Sequence, residues 1–224
     1  ANIHILTDGK ATKTSIDKAI ADIVRDVTEI DRIIFYFSGH GAFEGGNNYL
    51  LPVDCFNDAL PNTSIAINNV LGFFTRFPST RNLMFLDCCH SGLNPGTEEK
   101  DGARDFLVDM LKYNAREEEY TLIFASCKSH QTSFTHPTLP NSVWTHFLLR
   151  ALTGETVNIY ENGLLYHDQL QTYLNKETDN FIKLNTDHGK RQQPMLYGNV
   201  SDRFIIGDLN PILDEKAEAA ASKA

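Results

Sequence analysis

Two short polar clusters each follow a strongly apolar run. Ile33-Ile34-Phe35-Tyr36-Phe37 leads into Ser38-Gly39-His40-Gly41, and Leu83-Met84-Phe85-Leu86 leads into Asp87-Cys88-Cys89-His90-Ser91-Gly92. An imidazole and a thiol are the pair that nucleophilic acyl transfer needs. The thiolate attacks a carbonyl, and the histidine deprotonates the thiol or serves as its ion-pair partner. Either residue alone says little, because a strand-end histidine is common and free cysteines are often small core hydrophobes. Their occurrence after two neighbouring apolar runs is what points to chemistry. Glycines in both clusters let the backbone turn sharply and approach a substrate. The amide N–H groups of Gly41 and Cys89 are candidate donors to a developing oxyanion.

Other chemistries fit less well. Cys88, Cys89, His90 and His40 could bind zinc, but adjacent cysteines chelate poorly compared with C-x₂₋₄-C spacing, and no second ligand pair follows. Gly39-His40-Gly41 is not a phosphate loop, since the GxxxxGK[ST] pattern and its lysine are missing.

The elements that must carry these clusters alternate. Ile3–Leu6 reads as a short strand. Thr14, with Asp17 three residues on, reads as a capping box. Behind it Ile16, Ala19, Ile20, Ile23, Val24 and Val27 form a helical stripe. Ile33–Phe37 has the composition of a central strand covered on both faces. Further expectations are an extended piece at Tyr49–Pro52, a helix over Asn68–Phe77, and strands at Leu83–Leu86 and Tyr120–Ala125. Helices are expected at Val143–Leu152 and Leu165–Leu174, with late extended segments at Pro194–Tyr197 and Phe204–Ile206. Residues 94–119 are charged and loop-like, with a helix candidate over 105–111. Beyond Asn210 the chain turns Glu/Lys/Ala-rich, as an exposed helix or an unstructured end would. This alternation predicts an α/β sandwich around a mostly parallel sheet, with ligands at the carboxyl ends of the strands.

Composition bounds the remaining choices. A chain of 224 residues that is 42% hydrophobic can bury one large core. Twenty Lys and Arg against 29 Asp and Glu give a net charge of -9. That removes the global basic field of a nucleic-acid binder and is compatible with a basic peptide substrate. Four cysteines, no apolar run of membrane-spanning length and no visible signal peptide predict a reducing, cytoplasmic setting.

The two clusters resemble the histidine and cysteine motifs of the caspase/metacaspase clan of cysteine peptidases. Leu6-Thr7-Asp8 with Ala11-Thr12-Lys13, Tyr49-Leu50-Leu51-Pro52-Val53-Asp54 and Ile123-Phe124-Ala125-Ser126-Cys127 are similar too. The resemblance implies a caspase-like three-layer α/β/α sandwich over residues 1–209, with 210–224 as a charged, Ala-rich tail. It implies His40 and Cys89 as the catalytic dyad, since only one of two consecutive cysteines on a strand can face His40, and the family pattern points to Cys89. It further implies that Asp87, with Ser38, receives an Arg or Lys side chain of a protein or peptide substrate. Arg76, Arg81 and Arg104 are the residues that would instead have to receive an acidic side chain.

Two departures from the family are visible. The acidic pair of calcium-dependent metacaspases is replaced by Asn68 and Asn69, and Asp54 and Asp58 do not rebuild it, so no cofactor is expected and calcium dependence is expected to be weak or absent. The family's first strand and helix have no counterpart before Ile3, so the strand at Ile33 could have an open flank. The family also suggests self-cleavage in the 95–119 loop, at Lys100, Arg104, Lys112 or Arg116. An ordinary solvated loop with salt-bridged helix faces is the equal option. In place of calcium, activation by a partner protein, a ligand or a further domain is expected. Trp144, Tyr160 and Phe134 are candidates for subsites, although aromatics in apolar helices more often belong to the core. The competing reading is a catalytically silent caspase-like regulatory domain. Regulated cell death and an anti-phage or signalling response both remain open as roles.

Overall fold

The computed structural model describes residues 2–28, 30–76, 81–89, 120–128, 131–156, 158–186, 189–198 and 202–222. The expected 105–111 helix and the 95–119 loop lie outside these residues, as do Phe77, His90, Ser91 and Gly92. The chain forms two compact units, Ala1–Thr132 with Leu196–Asn199, and Ser133–Met195 with Val200–Ala224.

The first unit is built on a six-stranded sheet. Its strands are β1 (Ile34–Glu44), β2 (Asn47–Leu51), β3 (Ile65–Ala66), β4 (Arg81–Cys89), β5 (Tyr120–Ala125) and β7 (Met195–Tyr197), in the order β3-β2-β1-β4-β5-β7. The β1–β4 and β4–β5 ladders are parallel, whereas β1–β2 and β2–β3 are antiparallel. A third antiparallel ladder, between β6 (Leu164–Tyr166) and β8 (Ile205–Asp208), lies in a separate small sheet. Most of the described ladders are therefore antiparallel, and the expectation of a mostly parallel sheet is corrected to a mixed one. The reason lies in Gly45 and Gly46. Their φ angles of 57° and 81° make a two-residue turn, and so short a link can join only antiparallel neighbours. Parallel pairing of β1 with β4 needs a crossover, and helix α3 (Ile67–Arg76), after the short helix α2 (Leu60–Thr63), lies on that path.

Helix α1 (Lys13–Asp26) starts at Thr12, two residues before the expected cap. The Ser15 N–H donates to Thr12 Oγ1, and the Lys13 N–H donates to Asp54 Oδ1 at 2.8 Å, so the helix entry is tied to the residues after β2. Ile16 and Ile20 bury its apolar stripe. The core centres on β4 and β5. Leu83, Met84, Phe85 and Leu86 are buried, as are Leu122, Ile123, Phe124 and Ala125, and each large side chain contributes about 1.5–3 kcal/mol. The Phe85 and Phe124 rings stack across the ladder with centroids 5.3 Å apart.

Ile3–Leu6 belongs to no strand or ladder among the described residues. Ile3 and Ile5 are 74% and 77% exposed, so the expected first strand is not formed. An extended segment becomes a strand only when a neighbour takes its backbone groups. On β1, β4 pairs with Ile34–His40, while β2 pairs only from His40 onward. The flank of Ile34–Gly39 away from β4 thus carries no ladder among the described residues, and the apolar Ile34 is 57% exposed.

In the second unit Ser142 caps α4 (Val143–Leu152) by accepting the Thr145 N–H at 3.1 Å. Helix α5 (His167–Asn185) packs on it through Phe147, Tyr173 and Phe181. Leu165 was expected to begin this helix but lies in β6, and the helix continues well past Leu174. Gln169 fixes the start by accepting the Tyr166 N–H at 3.3 Å. Residues Asn210–Ala221 form α6, held to the unit by Lys216 Nζ donating to the Gly154 carbonyl at 3.2 Å.

Candidate functional site

The histidine cluster does not end its strand, as the sequence suggested. Ser38–Gly41 lies inside β1, which runs on to Glu44. His40 sits where the two ladders of β1 meet, paired with Cys89 on parallel β4 and with Leu51 on antiparallel β2. The register continues backward as Gly39 with Cys88 and Ser38 with Asp87. Alternate positions of a strand share a face. The Ser38–Asp87 and His40–Cys89 rungs therefore lie on one face, and the Gly39–Cys88 rung on the other. All four residues expected to act on substrate fall on two successive rungs of that face, and Cys88 does not.

Their surroundings differ. Ser38 and His40 are exposed, whereas Asp87 and Cys88 are buried. A Cβ at Gly39 would lie 2.9 Å from the Phe37 ring, so a side chain there would have to displace that ring. Gly41 is buried and pairs with Leu50 in the hairpin.

Backbone direction can be followed along β4. The Leu83 N–H donates to the Ile33 carbonyl at 2.9 Å, and the Ser126 N–H donates to the Leu86 carbonyl at 2.8 Å. Odd-numbered residues of β4 thus turn their polar groups toward β1, and even-numbered ones toward β5. By that period the Cys89 N–H is directed at β1, and the Cys88 carbonyl at the β5 side.

There the sheet runs out, because β5 ends at Ala125. The Lys128 N–H, next in the period, donates instead to Gln131 Oε1 at 3.4 Å, and the Gln131 N–H donates to the Lys128 carbonyl at 3.1 Å. The buried Cys127 thiol faces two carbonyls, that of Cys88 at 3.6 Å and that of Gln131 at 3.3 Å. Sequence reasoning used Cys127 only as part of a family-like segment. Its place at the carboxyl end of the strand beside Cys88 was the signal available.

Arg81 cannot serve this end of the sheet. It opens β4 eight positions before Cys89, about 26 Å away at strand spacing. Its charge is felt at Arg32, which burial and then Arg81 hold below the usual guanidinium range. Arg104 lies outside the described residues.

The remaining candidates are placed as follows. Trp144 is fully buried in α4. The Tyr160 hydroxyl donates to the Ala151 carbonyl at 2.8 Å, and Lys190 Nζ stands 5.7 Å from the centre of the Phe134 ring. Asn68 Nδ2 donates to Asn47 Oδ1 at 3.5 Å, and Asp54 is engaged at the start of α1. Among the described residues no group of three His, Cys, Asp or Glu is placed to hold a metal ion, and no helix is long and apolar enough to cross a membrane. A cavity of about 610 Å³ in the second unit is lined by Arg150, Glu155, Tyr173 and Lys176 among others. It contains none of the residues singled out from sequence.

Comparison with known proteins identifies the family and the fold. Residues 3–205 match the caspase domain family. A protein of a Desulfuromonadales bacterium described as a probable protease is 33% identical over 106 residues, covering 44% of this chain and 12% of that protein. The match thus spans only a small part of that relative's length. The crystal structure of a Geobacter sulfurreducens protein superimposes with a TM-score of 0.58 at 16% identity, covering 88% of this chain and 77% of that one. At that identity the likeness is one of fold.

Proposed function

Because this chain belongs to the caspase domain family, we propose that it is a metacaspase-like cysteine endopeptidase that cleaves after Arg or Lys. The observation that carries this reading is the shared rung of His40 and Cys89 at the end of the parallel ladder. Cys89 is the nucleophile and His40 its proton partner. The thiolate adds to the scissile carbonyl, and the oxyanion intermediate collapses as His40 protonates the leaving amine. Water, losing its proton to His40, then adds to the thioester, and the second collapse releases the acid and the thiol.

Gly41 and Cys89 offer amide N–H groups to the oxyanion. The Cys89 N–H is directed along the sheet toward β1, so donation requires the last rung to open as substrate enters. Asp87 receives the basic side chain, assisted by Ser38 on the same rung. A buried carboxylate favours a guanidinium, which it can bind through two parallel hydrogen bonds. A silent regulatory domain would have no need for imidazole and thiol positions on one rung.

The test is a panel of fluorogenic peptides ending in Arg, Lys or Asp, with calcium and with a chelator. Cleavage of the Arg and Lys peptides under both conditions is expected. Cleavage of the Asp peptide alone would overturn the pocket, and a strict calcium requirement would overturn the reading of Asn68 and Asn69.

A further inference from the structure

Cys127 lies just past the end of β5, beside the strand that carries Cys89. Along β4 the even-numbered carbonyls look toward β5, and Leu86 is satisfied there by the Ser126 N–H. Two residues on, the matching backbone donor has turned away, since the Lys128 N–H is committed to Gln131 Oε1. The Cys88 carbonyl instead meets the Cys127 thiol at 3.6 Å. That thiol is fully buried and also faces the Gln131 carbonyl at 3.3 Å, so its single hydrogen is shared between strand end and turn. The Cys88 carbonyl and the Cys89 N–H belong to one planar peptide unit. Whatever holds the carbonyl also sets the direction of that N–H and the position of the Cys89 Cα.

We infer that Cys127 is a positioning residue, a side-chain substitute for the missing rung of β5 that orients the Cys88–Cys89 peptide for the chemistry of Cys89. It touches no substrate and changes no charge. Its hydrogen bond is weak, and losing it takes a donor from a buried carbonyl. The catalytic part of this inference rests on the function proposed above; the anchoring part does not.

Cys127→Ala and Cys127→Ser separate the alternatives, with Gly198→Ala as a destabilised control whose defect lies against Thr121 and Leu122. Two readouts are needed: hydrogen exchange of the peptide amides at Cys88–Cys89, and kcat and KM on the Arg peptide well below the melting temperature. Cys127→Ala should exchange about five- to tenfold faster and lose kcat by a similar factor with KM within about twofold. Cys127→Ser, which retains a donor, should recover most of both. Gly198→Ala should lose stability but keep kcat. Unchanged exchange in Cys127→Ala overturns the anchoring. Faster exchange with unchanged kcat, or equal losses in the Ala and Ser variants, overturns the positioning role. A wild-type chain that cleaves no peptide overturns the proposed function instead, and the exchange rates still decide the anchoring.

Discussion

His40 and Cys89 occupy one rung of a parallel ladder, the last before β1 exchanges β4 for β2 as its partner. Cys88, one position earlier, shares its rung with Gly39 and lies on the opposite face. Two adjacent cysteines that look equivalent in sequence are thereby made unequal by the pleat.

Removing each thiol should show this inequality. Cys89→Ala is expected to lower kcat by at least about 10³-fold. Cys88→Ala should keep kcat within a few-fold and lose about 1–2 kcal/mol of stability, because it removes a buried apolar group. Peptide hydrolysis and urea melts measure both; comparable activity losses in the two variants would contradict the assignment.

Asp87 is buried two positions before Cys89, on the rung it shares with Ser38. Asp87→Asn should reduce kcat/KM for Arg peptides about 10- to 100-fold, the range for losing a charge-assisted pair of hydrogen bonds. Its alkylation by iodoacetamide at Cys89 should persist, since the dyad is untouched. Undiminished Arg preference would place the specificity pocket elsewhere.

Gly198 has φ of 130°, and a Cβ there would stand 2.4 Å from the Thr121 carbonyl oxygen. Neither backbone can yield cheaply. Gly198→Ala should cost about 2–4 kcal/mol, read as a fall in melting temperature of roughly 5–10 °C. A shift within about 1 °C would contradict this account of the packing of β7 on β5.

Burial lowers the His146 imidazole from its ordinary value of 6.5, with Arg150 adding to the shift and Glu155 opposing it. The unfolded chain therefore binds this proton more readily than the folded one. Stability rises with pH from the lowered folded value up to the ordinary one, and the contribution is lost again as pH falls. Melting at about pH 5 and about pH 8 should show a smaller difference in His146→Gln than in wild type. An equal difference would assign the acid limb to other groups.

Much of this arrangement is legible in the sequence because strand cores are written in apolar runs. Leu83–Leu86 and Tyr120–Ala125 declare themselves, and the polar clusters beside them mark the site. The sheet's direction is harder to read. Gly45-Gly46 is only two residues long, and the alternation of strands and helices does not reveal that it sets β2 antiparallel to β1. The boundary at Leu164–Tyr166 was hidden because a short apolar run suits a strand as well as a first helical turn. Pairing with β8, a contact remote in sequence, decides it. Cys127 was missed for the same reason: its partner, the Cys88 carbonyl, is a backbone atom 39 residues away.

The most direct test of the central claim is covalent capture. A peptidyl acyloxymethyl ketone ending in Arg alkylates a thiolate only where an imidazole supports it, and mass spectrometry locates the adduct. Labelling of Cys89 in wild type, abolished in His40→Ala and preserved in Cys88→Ala, is the predicted result. Labelling of Cys88, or labelling of Cys89 that does not depend on His40, would contradict it.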